Sequence, residues 1–373
     1  MAKPTLVPSS TSDVSKRTSV DLAVEDAAIS AQFQGSSTPS MAKDKPIGLS
    51  DFRKFKDPKG ISVEAQELIK CSWRDATQAK YGTPLRRWVE FCRRRSIDPF
   101  KPSLKDGINF LANLFKKGQS YSCINTARSA LSTLVSFIDS RCFGQEESVK
   151  RLMKGIFNRR PSLPRYTVTW DIKVVLDYLE TLSTVEINLK FLTLKVTMLL
   201  ALVTAQRVQT LKALVVKNLI KYDDRYVFTI DSLLKQTRPG FHVSHVTIPK
   251  FTKNLELCPC QCIDRYLVLT KDLRSDDLQL LISFQKPHHA ITTDTIARWI
   301  RTVLNNAGID ICRFKAHSTR SASTSAAGSS FLPINDILEA GGWSNAKTFG
   351  LFYNKPVEQK SFGATVLSRE DED

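Results

Sequence analysis

AHSTRSASTSAAGSSFLPINDILEAGGWSNAKTFGLFYN, residues 316–354, sets a His, an Arg, a Trp and a Tyr in one short segment with helix punctuation between them. His317 and Arg320 stand three apart, so at one helix start they face the same side. Leu332, Ile334, Ile337 and Leu338 have the spacing of a short amphipathic helix, with Pro333 in its first turn and Gly341 and Gly342 as its stop. Trp343 follows at once, and Ser344 is placed to cap a last helix carrying Phe349, Phe352 and Tyr353. A buried phenol needs a partner for its hydroxyl, and the His and Arg are placed to converge on it or on whatever it attacks.

The chain around this segment has 373 residues, enough for a sizeable core and for two domains more readily than one. Its formal charge is +17, and the excess is concentrated in residues 61–165, which carry 20 Lys and Arg against 9 Asp and Glu. Such a segment suits a module that grips a polyanion; a solvated basic face is the plainer alternative. Residues 1–60 are rich in Ser, Thr, Pro and Lys, with Phe33, Phe52 and Phe55 as their only aromatics, and read as a disordered tail. They contain no apolar leader, and the eight Cys are scattered, so free thiols in a reducing, intracellular setting are expected. Residues 189–203 are the most apolar run, but Lys190 and Lys195 interrupt it and it is too short to span a bilayer, so no membrane partner is expected.

From residue 61 the pattern is helical. Leu85, Trp88, Val89 and Cys92 form one stripe; Ile108, Leu111, Ala112 and Phe115 a second; Ile124, Ala127, Leu131, Leu134, Val135 and Ile138 a third. A fourth helix is expected over 149–157 with Ser148 as its cap, and these stripes imply a small helical bundle over 61–163. Pro161 and Pro164 bound a linker. A second domain, 166–360, opens with Trp170, Ile172, Val175, Leu176 and Leu179 at helical spacing and continues into the buried helix at 189–203. Strands are expected over 225–230 and 242–249 around a turn at Arg238, Pro239 and Gly240. Ile296, Trp299, Ile300 and Val303 then face inward on a helix over 295–306, and residues 361–373 form an acidic tail. The fold class is therefore mainly α (α+β): a helical domain followed by a mostly helical domain with a small antiparallel sheet.

HSTR, GGW and FYNKP, in that order, resemble the C-terminal active-site boxes of the tyrosine recombinases, the phage-integrase family, with wording most like recombinases of DIRS-like and Crypton-like mobile elements. TAQRVQTLKAL, which carries Arg207, looks like that family's first Arg box. The resemblance covers roughly residues 62–355 and departs in two places. Thr210 stands where the family often has an acidic residue, and Trp343 to Tyr353 is one residue longer than the commonest spacing, which puts Phe352 at the shorter one.

The resemblance implies a core-binding (SAM-like) domain that clamps one side of double-stranded DNA, with Arg86, Arg87, Arg93, Arg94, Lys116, Lys117 and Arg128 as candidates for phosphate contacts. In the catalytic domain it implies Tyr353 as the nucleophile that leaves a 3′-phosphotyrosine, and Arg207 and Arg320 as forks matched to the phosphate. Lys235 matches the acid on the inter-strand turn, with Lys250 and Lys253 as rivals. His317 is then an acid, a base or a further phosphate donor, and Trp343 a donor or a buttress for the Tyr helix. The implied activity is site-specific DNA recombination or integration by strand exchange, for a mobile element. It needs no cofactor or metal, works as a homotetramer on DNA with residues such as 356–367 docking on a neighbour, and is expected in the nucleus. The alternative is a catalytically inactive DNA-binding protein derived from such an element; a relaxing topoisomerase is a third reading.

Other chemistries have little footing. Cys258, Cys260 and Cys262 form C-P-C-Q-C, and His242 and His245 lie across the expected sheet, but neither has zinc-site spacing with a second pair. There is no Walker A loop, no Rossmann glycine fingerprint and no H-E-x-x-H.

Overall fold

The computed structural model describes residues 48–56, 60–140, 142–163, 166–274, 276–343 and 345–357. They fall into two compact units that divide between Ser162 and Leu163. The mainly helical class with a small antiparallel sheet is as expected. Residues 1–47, Ser344, Pro164, the acidic tail and most of the segment at 356–367 lie outside the described residues.

Among the described residues the first unit contains six α-helices: α1 (Leu49–Lys56), α2 (Val63–Cys71), α3 (Asp75–Arg93), α4 (Leu104–Lys116), α5 (Tyr121–Leu134) and α6 (Glu147–Arg159). Serines start three of them: Ser62, Ser103 and Ser120 each accept a hydrogen bond from a first-turn backbone N–H, and Ser103 with Asp106 forms a reciprocal capping box. Trp88, Phe91 and Phe110 pack ring against ring at the centre, and the Trp88 indole N–H is satisfied by the Pro99 carbonyl at 2.9 Å. Arg160 reaches from the end of α6 to the Gln119 carbonyl at 2.6 Å and tethers that helix to the turn after α4.

Several sequence expectations are corrected here. α1 falls inside the stretch whose composition reads as a tail; Phe52, fully buried against Phe100 at 4.8 Å, is enough to seat one short helix. α4 buries Gly107, Phe110, Leu111 and Leu114 and leaves Ala112 outside, so its inner face is turned from the expected stripe. α5 stops at Leu134, and Ile138 is three-quarters exposed beyond it. α6 begins before Ser148, which is therefore a helical residue and not a cap.

In the second unit, α7 (Ile172–Glu180) precedes α8 (Leu189–Thr204), the helix on which the others are laid: α10, α11, α12 and β3 all pack against it. A helix apolar on every side is stable only when covered on every side. Lys195 is the exception within it, fully buried, with its ammonium on Glu256 at 2.9 Å, on Thr184 Oγ1 at 3.1 Å and on the Leu182 carbonyl. Three oxygens replace the water that the charge gives up.

After α9 (Val208–Lys212) come β1 (Leu219–Lys221), β2 (Arg225–Thr229) and β3 (His245–Pro249), antiparallel in that order. Tyr226 opposes Ile248 and Phe228 opposes Val246, so all four buried side chains share one face. β1 is an element the sequence pattern did not mark, and β3 starts at His245 rather than at His242. The chain then runs through α10 (Pro259–Thr270), α11 (Thr293–Asn306), α12 (Ser318–Ser329), α13 (Ile334–Gly341) and α14 (Ala346–Phe352). All four residues expected to face inward on α11 are buried.

Candidate active site

Arg207 is delivered by an abrupt turn. α8 ends at Ala205, which takes the left-handed conformation (φ 47°) that residues other than glycine rarely adopt. The chain reverses there, and Arg207 caps the short α9. Gln206, buried in the same turn, donates from Nε2 to the Ala340 carbonyl at 2.7 Å, which ties the Arg207 segment to the end of α13.

α12 carries the other half. Trp170 donates its indole N–H to Ser318 Oγ at 2.9 Å and fixes the helix start, where His317 occupies the cap position. Arg320, one turn in, is almost completely buried; Nη2 donates to the Gly341 carbonyl at 3.0 Å, while among the described residues Nε and Nη1 are buried without a partner. Ser321 and Ser325 continue the His317 face at helical spacing, and both donate to the Tyr353 carbonyl at 3.1 Å. Ser325 Oγ also accepts the backbone N–H of Lys355 at 3.0 Å, so a run of small polar residues grips the backbone at the nucleophile candidate.

The geometry separates Tyr353 from Phe352. Phe352 ends α14 with 60% of its surface exposed, whereas Tyr353, in the turn that follows, places its hydroxyl 3.1 Å from His317 Nε2. Trp343 packs edge-on against Tyr353 at 4.8 Å and against Phe349 at 5.4 Å, as a buried buttress whose indole N–H has no partner. Gly341 makes room for that indole: a β-carbon there would lie 1.6 Å from a Trp343 ring carbon. Gly342 then ends α13 in the left-handed region at φ 65°, the role glycine fills at helix C-termini.

Lys235 lies on the loop between β2 and β3 and is exposed, at a cleft of about 210 Å³ lined also by Arg207, Gln236, Arg238, Gly342, Trp343 and Asn345. Its charge acts on His317. The rival Lys250 follows β3 at its other end, close enough to act on the Cys260 thiol.

Electrostatically this is a site short of negative charge. Burial of the ring, then the charges of Arg320, Arg207 and Lys235, hold the pKa of His317 down to about 4. His317 is exposed on part of its surface, and the charges of the three cations are the part of the effect that a bound anion would cancel. Burial, and next the nearby Arg207 charge, push the Arg320 guanidinium down to about 9, so it keeps its proton at neutral pH. Among the described residues neither Arg207 nor Arg320 forms an ion pair. Among the described residues the buried N–H groups of Arg320 and Trp343 find no acceptor, and a multi-oxygen anion would satisfy them.

The basic candidates of the first unit are only partly gathered. Arg86, Arg87, Arg94 and Lys117 line a cleft of about 510 Å³ over Phe91 and Phe110, together with Arg95 and Glu90. Arg93, Lys116 and Arg128 are not in its lining, and Arg93 and Arg94 are both paired with Glu90, at 2.8 and 2.7 Å.

The cysteine and histidine groups do not converge. Cys258 Sγ accepts the Phe251 N–H at 3.4 Å, burial raises the Cys260 thiol to about 12, and His242 is held by Thr237 Oγ1 and the Ile230 carbonyl. Among the described residues no three His, Cys, Asp or Glu are grouped to hold a metal, and no helix is long and apolar enough to cross a membrane.

Residues 171–359 match the model of the phage integrase family. No curated protein sequence matches the chain. The fold is similar to that of the Tn1549 transposon integrase in complex with transposon right end DNA (TM-score 0.53, 14% identity, covering 86% of this chain and 98% of that one). It is also similar to the XerH site-specific recombinase bound to palindromic difH substrate in a post-cleavage complex (TM-score 0.52, 16% identity, 74% and 75% covered). A pre-cleavage complex of XerH gives a TM-score of 0.50 at 15% identity, with 74% and 76% covered.

Proposed function

The chain belongs to the phage integrase family, and from that premise we propose that it is a tyrosine recombinase that cuts and rejoins duplex DNA for the integration of a mobile element. The observation that carries the reading is the 3.1 Å approach of the Tyr353 hydroxyl to His317 Nε2 beside two guanidiniums that have no carboxylate partner.

Tyr353 Oη attacks the scissile phosphorus and its phenolic proton passes to His317, which burial and the surrounding cations keep neutral and able to accept. The bond from phosphorus to the 5′ oxygen breaks, and that oxygen takes a proton from the Lys235 ammonium. Arg207, Arg320 and the Trp343 N–H hold the non-bridging oxygens, whose charge grows in the transition state. The product is a 3′-phosphotyrosine, and a 5′-hydroxyl from a second duplex reverses the step to complete exchange. Each transfer conserves one phosphoester, so the route draws on no nucleotide or metal. Exchange between two duplexes takes four such sites, hence a tetramer on DNA, and the first unit supplies phosphate contacts through its α3 and α4 cations. A nuclear location belongs to the same proposal and is checked by imaging a tagged chain.

The reading is tested with the full chain and a pool of nicked duplexes built from the ends of the element that encodes it, denatured before electrophoresis. A covalent protein–DNA adduct supports recombinase chemistry. Binding to these duplexes without any adduct, under conditions where an active relative is trapped on the same DNA, favours a DNA-binding protein that has lost catalysis. An adduct followed by relaxation of supercoiled DNA without recombinant product favours a topoisomerase.

A further inference from the structure

Thr210, three residues after Arg207, gives its hydroxyl to Gln206 Oε1 at 3.2 Å. The side chain that meets Arg207 comes from the loop between β2 and β3: Arg207 Nη1 donates to Gln236 Oε1 at 2.7 Å, across 29 residues. A guanidinium has no acceptor, so the atom it meets must be the amide oxygen, and the NH2 end of Gln236 points elsewhere. That nitrogen is buried without a partner and lies beside Gly342, whose absent β-carbon would come within 3.0 Å of it. One residue earlier, the Lys235 backbone N–H donates to Gln209 Oε1 at 3.0 Å. Two successive residues of one loop are thus pinned to the segment 207–209, and the exposed Lys235 side chain starts from that pinned backbone.

We propose that Gln236 is the positioning residue of the site: its bond to Arg207 locks the loop that brings Lys235 to the departing oxygen, so the acid and a phosphate-gripping cation are set by one contact. The amide does this without a charge. A carboxylate at the same place would neutralise Arg207, whereas glutamine leaves the guanidinium's full charge for the phosphate. The inference rests on the reading of Lys235 as the group that protonates the 5′ oxygen while the Tyr353–phosphorus bond forms and the bond from phosphorus to that oxygen breaks.

The experiment compares adduct formation by the full-length wild type, Lys235→Ala and Gln236→Met on two duplexes, one with the natural 5′ oxygen at the scissile phosphate and one with sulfur there. A thiolate leaves without a proton, so the sulfur substrate removes the need for an acid. Methionine is close to glutamine in size and lacks the acceptor, and its unfolding midpoint and DNA affinity are measured alongside. The expected result is that both variants are slowed on oxygen, Gln236→Met by roughly 10²-fold for a displaced catalytic group, and that both recover on sulfur while Gln236→Met folds and binds like wild type. Gln236→Met cleaving oxygen at the wild-type rate, or remaining slow on sulfur while Lys235→Ala recovers, overturns the proposal. If Lys235→Ala stays slow on sulfur, the acid is another residue and the proposal falls with it. A wild type that forms no adduct on either duplex sinks the recombinase reading itself.

Discussion

The guanidinium carbon of Arg320 sits 4.2 Å from the centre of the Trp343 indole and 5.3 Å from that of the Tyr353 ring. A cation buried this deeply is normally paired with an acid; here, among the described residues, it is held by one carbonyl and two aromatic rings, which leave its Nε and Nη1 unspent. Positive charge and unused donors therefore collect beside Tyr353, an arrangement that suits an anion.

Arg320→Lys keeps the charge but loses the planar fork and its stacking on Trp343. Adduct formation is expected to fall by roughly 10²-fold or more, the scale for removing one transition-state donor, with little change in DNA affinity. Rates and affinities on the same nicked duplex separate these effects. A matching loss of affinity would mean that Arg320 grips the ground state.

The pH dependence of stability follows from His317. Its pKa in the folded protein, about 4, lies below the ordinary value of 6.5, so the unfolded chain takes up the proton first as the pH falls. The contribution to stability is complete above pH 6.5 and is lost as the pH drops toward 4. Wild type should therefore lose more of its unfolding midpoint than His317→Gln between pH 7.5 and 5. Equal losses would mean that neither burial nor the nearby cations depress the His317 pKa in the folded protein.

Phosphate should reverse that depression. An anion between Arg207, Arg320 and Lys235 cancels the cationic part of the shift, so the His317 ring should titrate at higher pH with a cleavage-site duplex bound to Tyr353→Phe than in the free variant. Ring-proton chemical shifts followed against pH read this directly; an unmoved titration argues against His317 facing the phosphate.

Gly341→Ala tests how tightly the buttress is fitted. The new methyl would overlap the indole, so Trp343 must leave its place against Tyr353. A loss of about 1–3 kcal/mol is expected, as for overpacking a filled site, together with altered tryptophan fluorescence. Stability and spectrum like wild type would show that the ring yields without cost.

In the first unit, the salt dependence of DNA binding separates spent from unspent cations. Among the described residues Arg86 and Arg87 are exposed and bond to neutral groups, Thr83 for Arg86 and Gln119 and Cys123 for Arg87, whereas Arg93 and Arg94 share Glu90. Arg86→Ala or Arg87→Ala should each reduce the slope of log affinity against log salt by about one, and Glu90→Gln should tighten binding. Anisotropy titrations at several salt concentrations decide this, and a slope that no substitution alters places the DNA contacts elsewhere.

The helices that carry strong apolar periodicity were legible in the sequence, and so was the cluster of His317, Arg320, Trp343 and Tyr353, because its members lie close along the chain. Short elements were not. β1 has three residues, too few to express an alternation, and α1 is a short helix in a polar stretch, anchored by Phe52 and Leu49. The stripe on α4 is hard to place from sequence because Gly107, which counts as no hydrophobe, sits on its inner face against Phe137 and Phe143. Gln236, Gln209 and the serines at 321 and 325 escaped notice for another reason. Amides and hydroxyls are common on any surface, and only the fold brings Gln236 to an arginine 29 residues away, or two serines to the carbonyl of Tyr353.

The most direct test of the central claim is to digest the trapped protein–DNA adduct and identify the linked residue by peptide mass, with Tyr353→Phe run in parallel. The account predicts a nucleotide on the peptide that contains Tyr353, and no adduct from the variant. An adduct that persists in Tyr353→Phe, or a linkage on any other residue, would contradict it.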